Sequence, residues 1–305
     1  MPSVTLVESA KLTQNMLVRG IIQNIIEVNP LFDDMPFLPI QSNALVFDRE
    51  NTLGDVQETG IGGTITANNP ATFTEITARL IRIVGDVEVD NLIESTRSDS
   101  GMSQTDTQIT AKTKEMGRRY QTLMINGLGV SNQFPGMSLL CAPTQKVDTG
   151  VNGGAFSFDI LDEMLSLVTA KDGTVDWIMM PRRTMNSFRR ARRVLGGTTP
   201  DHIETSNGRN VMQYEGIPVY RNDFLPINQT KGTGSNQTTI YCGTWDDGSE
   251  SNGLVGLTSM RDAGISLIQV GQMEGQDTTK WRLRWYCGMT LFNEKALACA
   301  DGITD

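Results

Sequence analysis

Apolar residues between positions 4 and 28 fall at Leu12, Met16, Leu17, Ile21, Ile22, Ile25 and Ile26. Their spacing of one, three or four predicts an amphipathic helix, which Asn29-Pro30 ends. Pro30, Pro36 and Pro39 then hold an extended segment, and Ala44 to Phe47 reads as a strand. A Gly- and Thr-rich stretch, Thr52 to Asn69, separates that strand from the alternating run ATFTEITARLIRIVGDVEVD. The two runs suit a long hairpin. Its linker greatly exceeds the 2–5 residues a hairpin needs, which points to a projecting loop with a task outside its own subunit. A disordered surface loop is the open alternative.

From Ser98 to Gly129 the pattern changes to a narrow helical stripe of Met102, Ile109, Met116 and Leu123, with Tyr120 beside it. Ser103 with Asp106 three residues on forms a capping-box signature, and Gly127 and Gly129 suit a left-handed helix end. A helix over 102–126 would be about 36 Å long, with too little apolar surface for the middle of a core. It reads as a strut across a sheet.

Beyond it, Phe158, Ile160, Leu161, Met164, Leu165 and Val168 line one helical face, VDWIMMP is a short buried-strand pattern, and RRTMNSFRRARRVLGG is a basic helix closed by Gly196 and Gly197. Residues 198–210 read as a polar loop, EGIPVYRNDFLP as a strand, NQTKGTGSNQ as a further loop, and TTIYCGTW and GLVGLTS as short strands. AGISLIQVGQ and TTKWRLRWYCGMTLFN are long alternating strands, and a short NEKALACADG segment follows. The fold class is α+β. Residues 84–145 and 255–292 make a sheet-plus-strut unit with a second α/β unit inserted between them, and no internal period indicates a solenoid or propeller.

Composition narrows the function classes. The chain has 305 residues, 38% hydrophobic and 20% charged, which suits a packed globular protein. Its start lacks a basic segment followed by an apolar core, and no run approaches the ~18 apolar residues of a membrane span. A soluble, unexported protein without a membrane partner is expected. Cys141, Cys242, Cys287 and Cys299 are scattered without a CxxC pair, which suits reduced, buried thiols better than disulfides or zinc. A net charge of −9 opposes general attraction to nucleic-acid phosphates.

Catalytic patterns are missing. His202 is the sole histidine and lies in a loop-like segment, so it reads as a surface residue. Gly60, Gly62 and Gly63 do not follow a buried strand and open a helix, and Asp246-Asp247 has no calcium-loop spacing. No catalytic residue, cofactor site or metal site is assigned. The basic helix carries more information: Arg182, Arg183, Arg189, Arg190, Arg192 and Arg193 lie within twelve residues and would share one face. Acidic residues of a neighbouring subunit are the preferred partners, ahead of solvent and then phosphate.

The order of these pieces resembles the major capsid protein of tailed bacteriophages, the Hong Kong ninety-seven type of shell fold. PLFDDMPFLPIQSNALVFDREN is similar to that family's arm leading into an extended loop, and TARLIRIVGDVEVDNLI to the returning strand. MINGLG and FPGMSLL resemble the pattern after its spine helix, and YEGIPVYRNDFLP resembles a strand of its axial domain. GISLIQV and WRLRWYCGMTLFNEKALA are similar to its late strands. The resemblance implies an N-terminal arm at 1–40, an extended loop at 41–83, a peripheral domain at 84–145 and 255–292, and an axial domain at 146–254 and 293–305. It further implies pentamers and hexamers of an icosahedral head, assembled in a bacterial cytoplasm around double-stranded DNA, with a separate scaffold, a portal and a decoration protein as further partners. Arg49, Asp55, Glu58, Arg182, Arg183, Arg189, Arg190 and Arg193 are the candidate subunit contacts. The encapsulin compartment shell shares the fold and is the near alternative; an α/β enzyme with a lid loop is the distant one. Some members of the capsid family lock their shells through a loop lysine, but residues 40–80 hold Arg49 and Arg79 and no lysine, so non-covalent shells are expected.

Overall fold

The computed structural model describes residues 34–97, 103–196, 202–204, 210–262 and 264–304. The helix expected between 4 and 28, Met102, and most of the arm lie outside them. The described chain enters through β1 (Phe37–Ile40) and folds β2 (Ala44–Thr52) and β3 (Thr72–Arg79) into an antiparallel hairpin, Phe47 opposite Ile76. The alternating run that reads as one strand is two. It breaks at Leu80, whose N–H bonds to the Asn43 carbonyl at 3.0 Å, so that β3 stays in the hairpin while β4 (Ile81–Asp90) enters a different sheet.

A short helix, α1 (Asn91–Arg97), precedes the long α2 (Gln104–Asn126). Ser103 caps α2 as expected, its hydroxyl accepting from the Asp106 N–H at 3.2 Å. The carboxylate that completes the cap is Glu94 of α1, which accepts from the Ser103 hydroxyl at 2.9 Å and the Thr105 N–H at 3.2 Å. These hydrogen bonds, the Ser103 one foremost, hold the Glu94 carboxyl below its ordinary pKa. At the other end Gly129 is left-handed (φ 68°), whereas Gly127, with φ −59° and ψ 133°, is not. Gly127 is needed for space: a Cβ there would lie 2.1 Å from the Phe134 carbonyl oxygen.

α3 (Met137–Leu140) and the brief strands β5 (Lys146–Val147) and β6 (Gly154–Ala155) lead into α4 (Phe158–Leu167), β7 (Trp177–Met180) and α5 (Arg182–Val194). Next come β8 (His202–Glu204), β9 (Asn210–Tyr214), β10 (Ile217–Arg221), β11 (Gln229–Lys231) and β12 (Gly234–Gly243). The chain closes with β13 (Leu254–Ser259), β14 (Ile265–Gln272), β15 (Thr278–Leu291) and β16 (Leu297–Thr304). Two expected loops are therefore partly strand. Residues 202–204 extend the sheet edge by pairing with β9, and 229–234 form a tight hairpin between β11 and β12.

The first sheet is built on β15. β4 pairs with one edge of it, β14 and β13 both pair with the other edge at successive stretches, 279–285 and 287–291, and β1 runs parallel to β13. Val87, Val89, Leu283, Trp285 and Cys287 face the core with α2, where Tyr120 stacks on Trp285 at 4.7 Å between centroids. The last part of α2 is far more enclosed than its narrow stripe predicts: Gly117, Gln121, Met124 and Ile125 are buried as well as Met116, Tyr120 and Leu123. The second sheet runs β5-β16-β12-β7-β10-β9-β8. One of its faces, through Trp177, Met179, Tyr241 and Leu297, shares the core that holds α2. The other, through Ile178, Met180, Val219, Ile240 and Cys242, is covered by α4 and α5.

Candidate functional site

The β2–β3 hairpin is secured at its base and uncommitted at its tip. Phe47 packs edge-on against Phe292 at 5.0 Å, within a small cluster that includes Ile40, Ala78 and Leu257. Arg49 reinforces this base by donating to the Phe292 and Leu291 carbonyls at 2.9 and 2.6 Å and to the Glu294 carboxylate at 2.7 Å. Its guanidinium is thus engaged inside its own chain. Asp55 is engaged likewise, joined to Asn69 by side chain and backbone. Gln57 braces the loop interior, its Oε1 accepting from the Thr66 N–H at 2.8 Å and hydroxyl at 2.9 Å. Leu53 just before that neck is 77% exposed, Val56 beyond it is 96% exposed, and Ile61 and Ile65 are open as well. Glu58 stands exposed among them. The tip is thus held in shape by its own hydrogen bonds while presenting a group of exposed apolar side chains.

The second surface is α5. Thr184, Met185 and Phe188 are buried against the sheet, which leaves Arg182, Arg189, Arg190 and Arg193 exposed on the opposite side. Arg183 is half-buried and donates to the Asn236 carbonyl at 2.5 Å. Arg189 reaches the Met212 sulfur at 3.3 Å, and the Asp223 carboxyl is held below its ordinary range mainly by Arg221, with Arg182 adding to it. The sequence reading singled out these arginines but not the acidic face beside them. Asp159, Asp162 and Glu163 are exposed on α4, with Asp162 accepting from the Tyr214 phenol at 2.5 Å. Burial and that carboxylate push the Tyr214 phenol well above its ordinary pKa. The spacing within FDILDEMLSL carried that signal, since its acids fall opposite its apolar positions.

Chemistry-bearing groups elsewhere are absorbed by the fold. All four cysteines are buried and free, with the Cys141 and Cys299 sulfurs 2.9 Å apart. A polar cleft lined by Lys146, Lys231, Tyr241 and Asp301 has its Lys231 ammonium paired with Asp301 at 2.6 Å. His202 lies in edge strand β8. Among the described residues no group of three or more His, Cys, Asp or Glu side chains is arranged to hold a metal ion, and no helix is long and apolar enough to cross a membrane.

A projecting hairpin, a long helix across one sheet and a second sheet carrying two helices define the Hong Kong ninety-seven type shell fold. Solved structures bear the likeness out. The holo-SrpI encapsulin complex from Synechococcus elongatus PCC 7942 is 19% identical with a TM-score of 0.71, over 90% of this chain and 86% of that one. The capsid of a native GTA particle is 12% identical with a TM-score of 0.63, over 90% of each chain. The virus-like particle from Pyrococcus furiosus is 9% identical with a TM-score of 0.56, over 93% of this chain and 97% of that one. No curated protein matches the sequence. Residues 92–303 match the family described as Type 2A encapsulin shell protein SrpI-like, and the chain belongs to that family of shell-forming proteins.

Proposed function

We propose that the chain is the subunit of an encapsulin-type compartment, a closed icosahedral shell assembled from pentamers and hexamers in a bacterial cytoplasm and enclosing protein cargo. The observation that carries this reading is the family match across residues 92–303, which takes in the long helix, the second sheet as far as Ile303, and β13, β14 and β15 of the first sheet. The exposed apolar hairpin tip supports it, because such a surface calls for a neighbouring copy. In this proposal residues 1–40 are the arm, 41–83 the extended loop, 84–145 and 255–292 the peripheral domain, and 146–254 with 293–305 the axial domain. Glu58 and the exposed arginines of α5 serve subunit contacts, while Arg49 and Asp55 act on them indirectly by holding the hairpin in shape.

The tailed-phage head is the second reading, favoured by the likeness to capsids such as that of Mycobacterium phage Ogopogo, 12% identical with a TM-score of 0.56 over 88% of this chain and 89% of that one. Double-stranded DNA, a portal, a scaffold and a decoration protein belong to that reading. Negative-stain microscopy of particles purified from the source cells, followed by nuclease treatment and mass spectrometry of the contents, separates the two. Closed particles containing a second protein are expected. Nuclease-protected double-stranded DNA without such a protein would favour the phage head, and only small oligomers would overturn both.

A further inference from the structure

The two helices covering one face of the second sheet are each of a single sign. Between 158 and 167 α4 has three carboxylates and no Lys or Arg, and between 182 and 194 α5 has six arginines and no Asp or Glu. Both bury their apolar sides in the same cluster, Leu161 and Met164 from one and Met185 and Phe188 from the other, so both polar faces turn to the exterior. At about 100° per residue, Arg182, Arg189, Arg190 and Arg193 share an arc of about 100°, as do Asp159, Asp162 and Glu163. Among the described residues no ion pair joins the helices, and none uses Arg189, Arg190, Arg193, Asp159, Asp162 or Glu163.

This arrangement is unfavourable in an isolated subunit. Arg189 and Arg193 repel one another a helical turn apart, and neither is ion-paired among the described residues, whereas Arg182 at the helix N-terminus has Asp223 beside it. An opposite surface of matching extent relieves that repulsion, and the chain carries one. We propose that the acidic face of α4 in one copy packs against the basic face of α5 in the next copy around a ring, a reading that rests on the shell function above. The contact is head-to-tail, because a two-fold pairing of α5 with α5 would place arginine on arginine. Each copy then offers one face and receives the other, and a closing rotation leaves none unsatisfied. Nucleic acid fits this surface less well, since the neighbouring carboxylates of α4 repel phosphate.

The test is a charge exchange in the full chain, read by light scattering and negative-stain counts of particles. Arg189→Glu with Arg193→Glu, and separately Asp159→Lys with Glu163→Lys, are each expected to lower particle yield by more than about tenfold, because like charges then meet across the contact. Combining all four substitutions restores opposite signs and is expected to return the yield to within about threefold of the unmodified chain. A four-fold variant that melts like the unmodified subunit yet stays unassembled overturns the proposal. So does normal assembly of either reversed face, including empty shells that have merely lost co-purifying nucleic acid. Failure of the unmodified chain to form particles would instead count against the shell reading itself.

Discussion

The outer face of the first sheet and the outer faces of α4 and α5 are both dense in charge, yet they are organised in opposite ways. On β4 and β15 the signs alternate across the strands: Arg282 bonds Asp86 at 2.7 and 2.9 Å, and Lys280 bonds Asp86 and Glu88 at 2.9 Å each. Asp86, Glu88, Lys280 and Arg282 thus find their partners one strand away, in the same chain. On the helices the signs are segregated, and among the described residues no ion pair uses Arg189, Arg190, Arg193, Asp159, Asp162 or Glu163. The hairpin repeats the contrast along its own length, since Arg49 at the base is fully occupied and the apolar tip is not. Groups paired within the chain stabilise the subunit, and the groups left over are the ones the proposed shell contacts use.

The contrast is broken most severely at the tip. Replacing residues 54–68 with a two-residue type I′ turn keeps β2 and β3 but removes the uncommitted end. Particles should vanish from negative-stain images while the melting temperature of the subunit moves by less than about 2 °C. Unchanged particles would show that the tip is dispensable. At the base the opposite outcome is expected. In that same tip-shortened, unassembled background Arg49→Ala should lower stability in urea unfolding by about 2 kcal/mol, the scale of hydrogen bonds from a charged donor. No loss would mean that Phe47 on Phe292 holds the base alone.

A smaller effect is expected at Asp86, whose carboxyl is held well below the ordinary range, above all by the hydrogen bond from Arg282. A native pKa below the unfolded one means that the ionised form stabilises the fold. That contribution is complete above the unfolded carboxylate range near 4 and is lost as pH falls through the native value. Since the pair lies at the surface, Asp86→Asn should cost about 1 kcal/mol or less at neutral pH, with the gap closing in acid. A gap that stays constant down to the acid limit would remove electrostatics as its cause. The smallest expected effect is none: boiled in detergent and reductant, particles should give a single band near 33.5 kDa, because the loop between 40 and 80 supplies no lysine amine. A ladder of covalent multimers would contradict it.

Local pattern by itself determined the elements whose burial follows from their own period. The α2 helix with its Ser103 cap, the fully buried β7, the exposed arginine face of α5 and the long β14 and β15 are all legible in the order of apolar and polar residues. Tertiary structure decided whatever depends on partners remote in the chain. The alternating run from Ala71 to Asp90 shows nothing of its break at Leu80, because β2 claims one half and β15 the other. Gln121 and Gly117 look like solvent positions of a strut and are buried, since Phe134 and Trp285 pack beside the same end of α2. Arg49 looks free for a neighbour until Leu291, Phe292 and Glu294 arrive from more than 240 residues away. Periodicity reports which side of an element leaves water. Which atoms it meets is set only when distant segments close on one another.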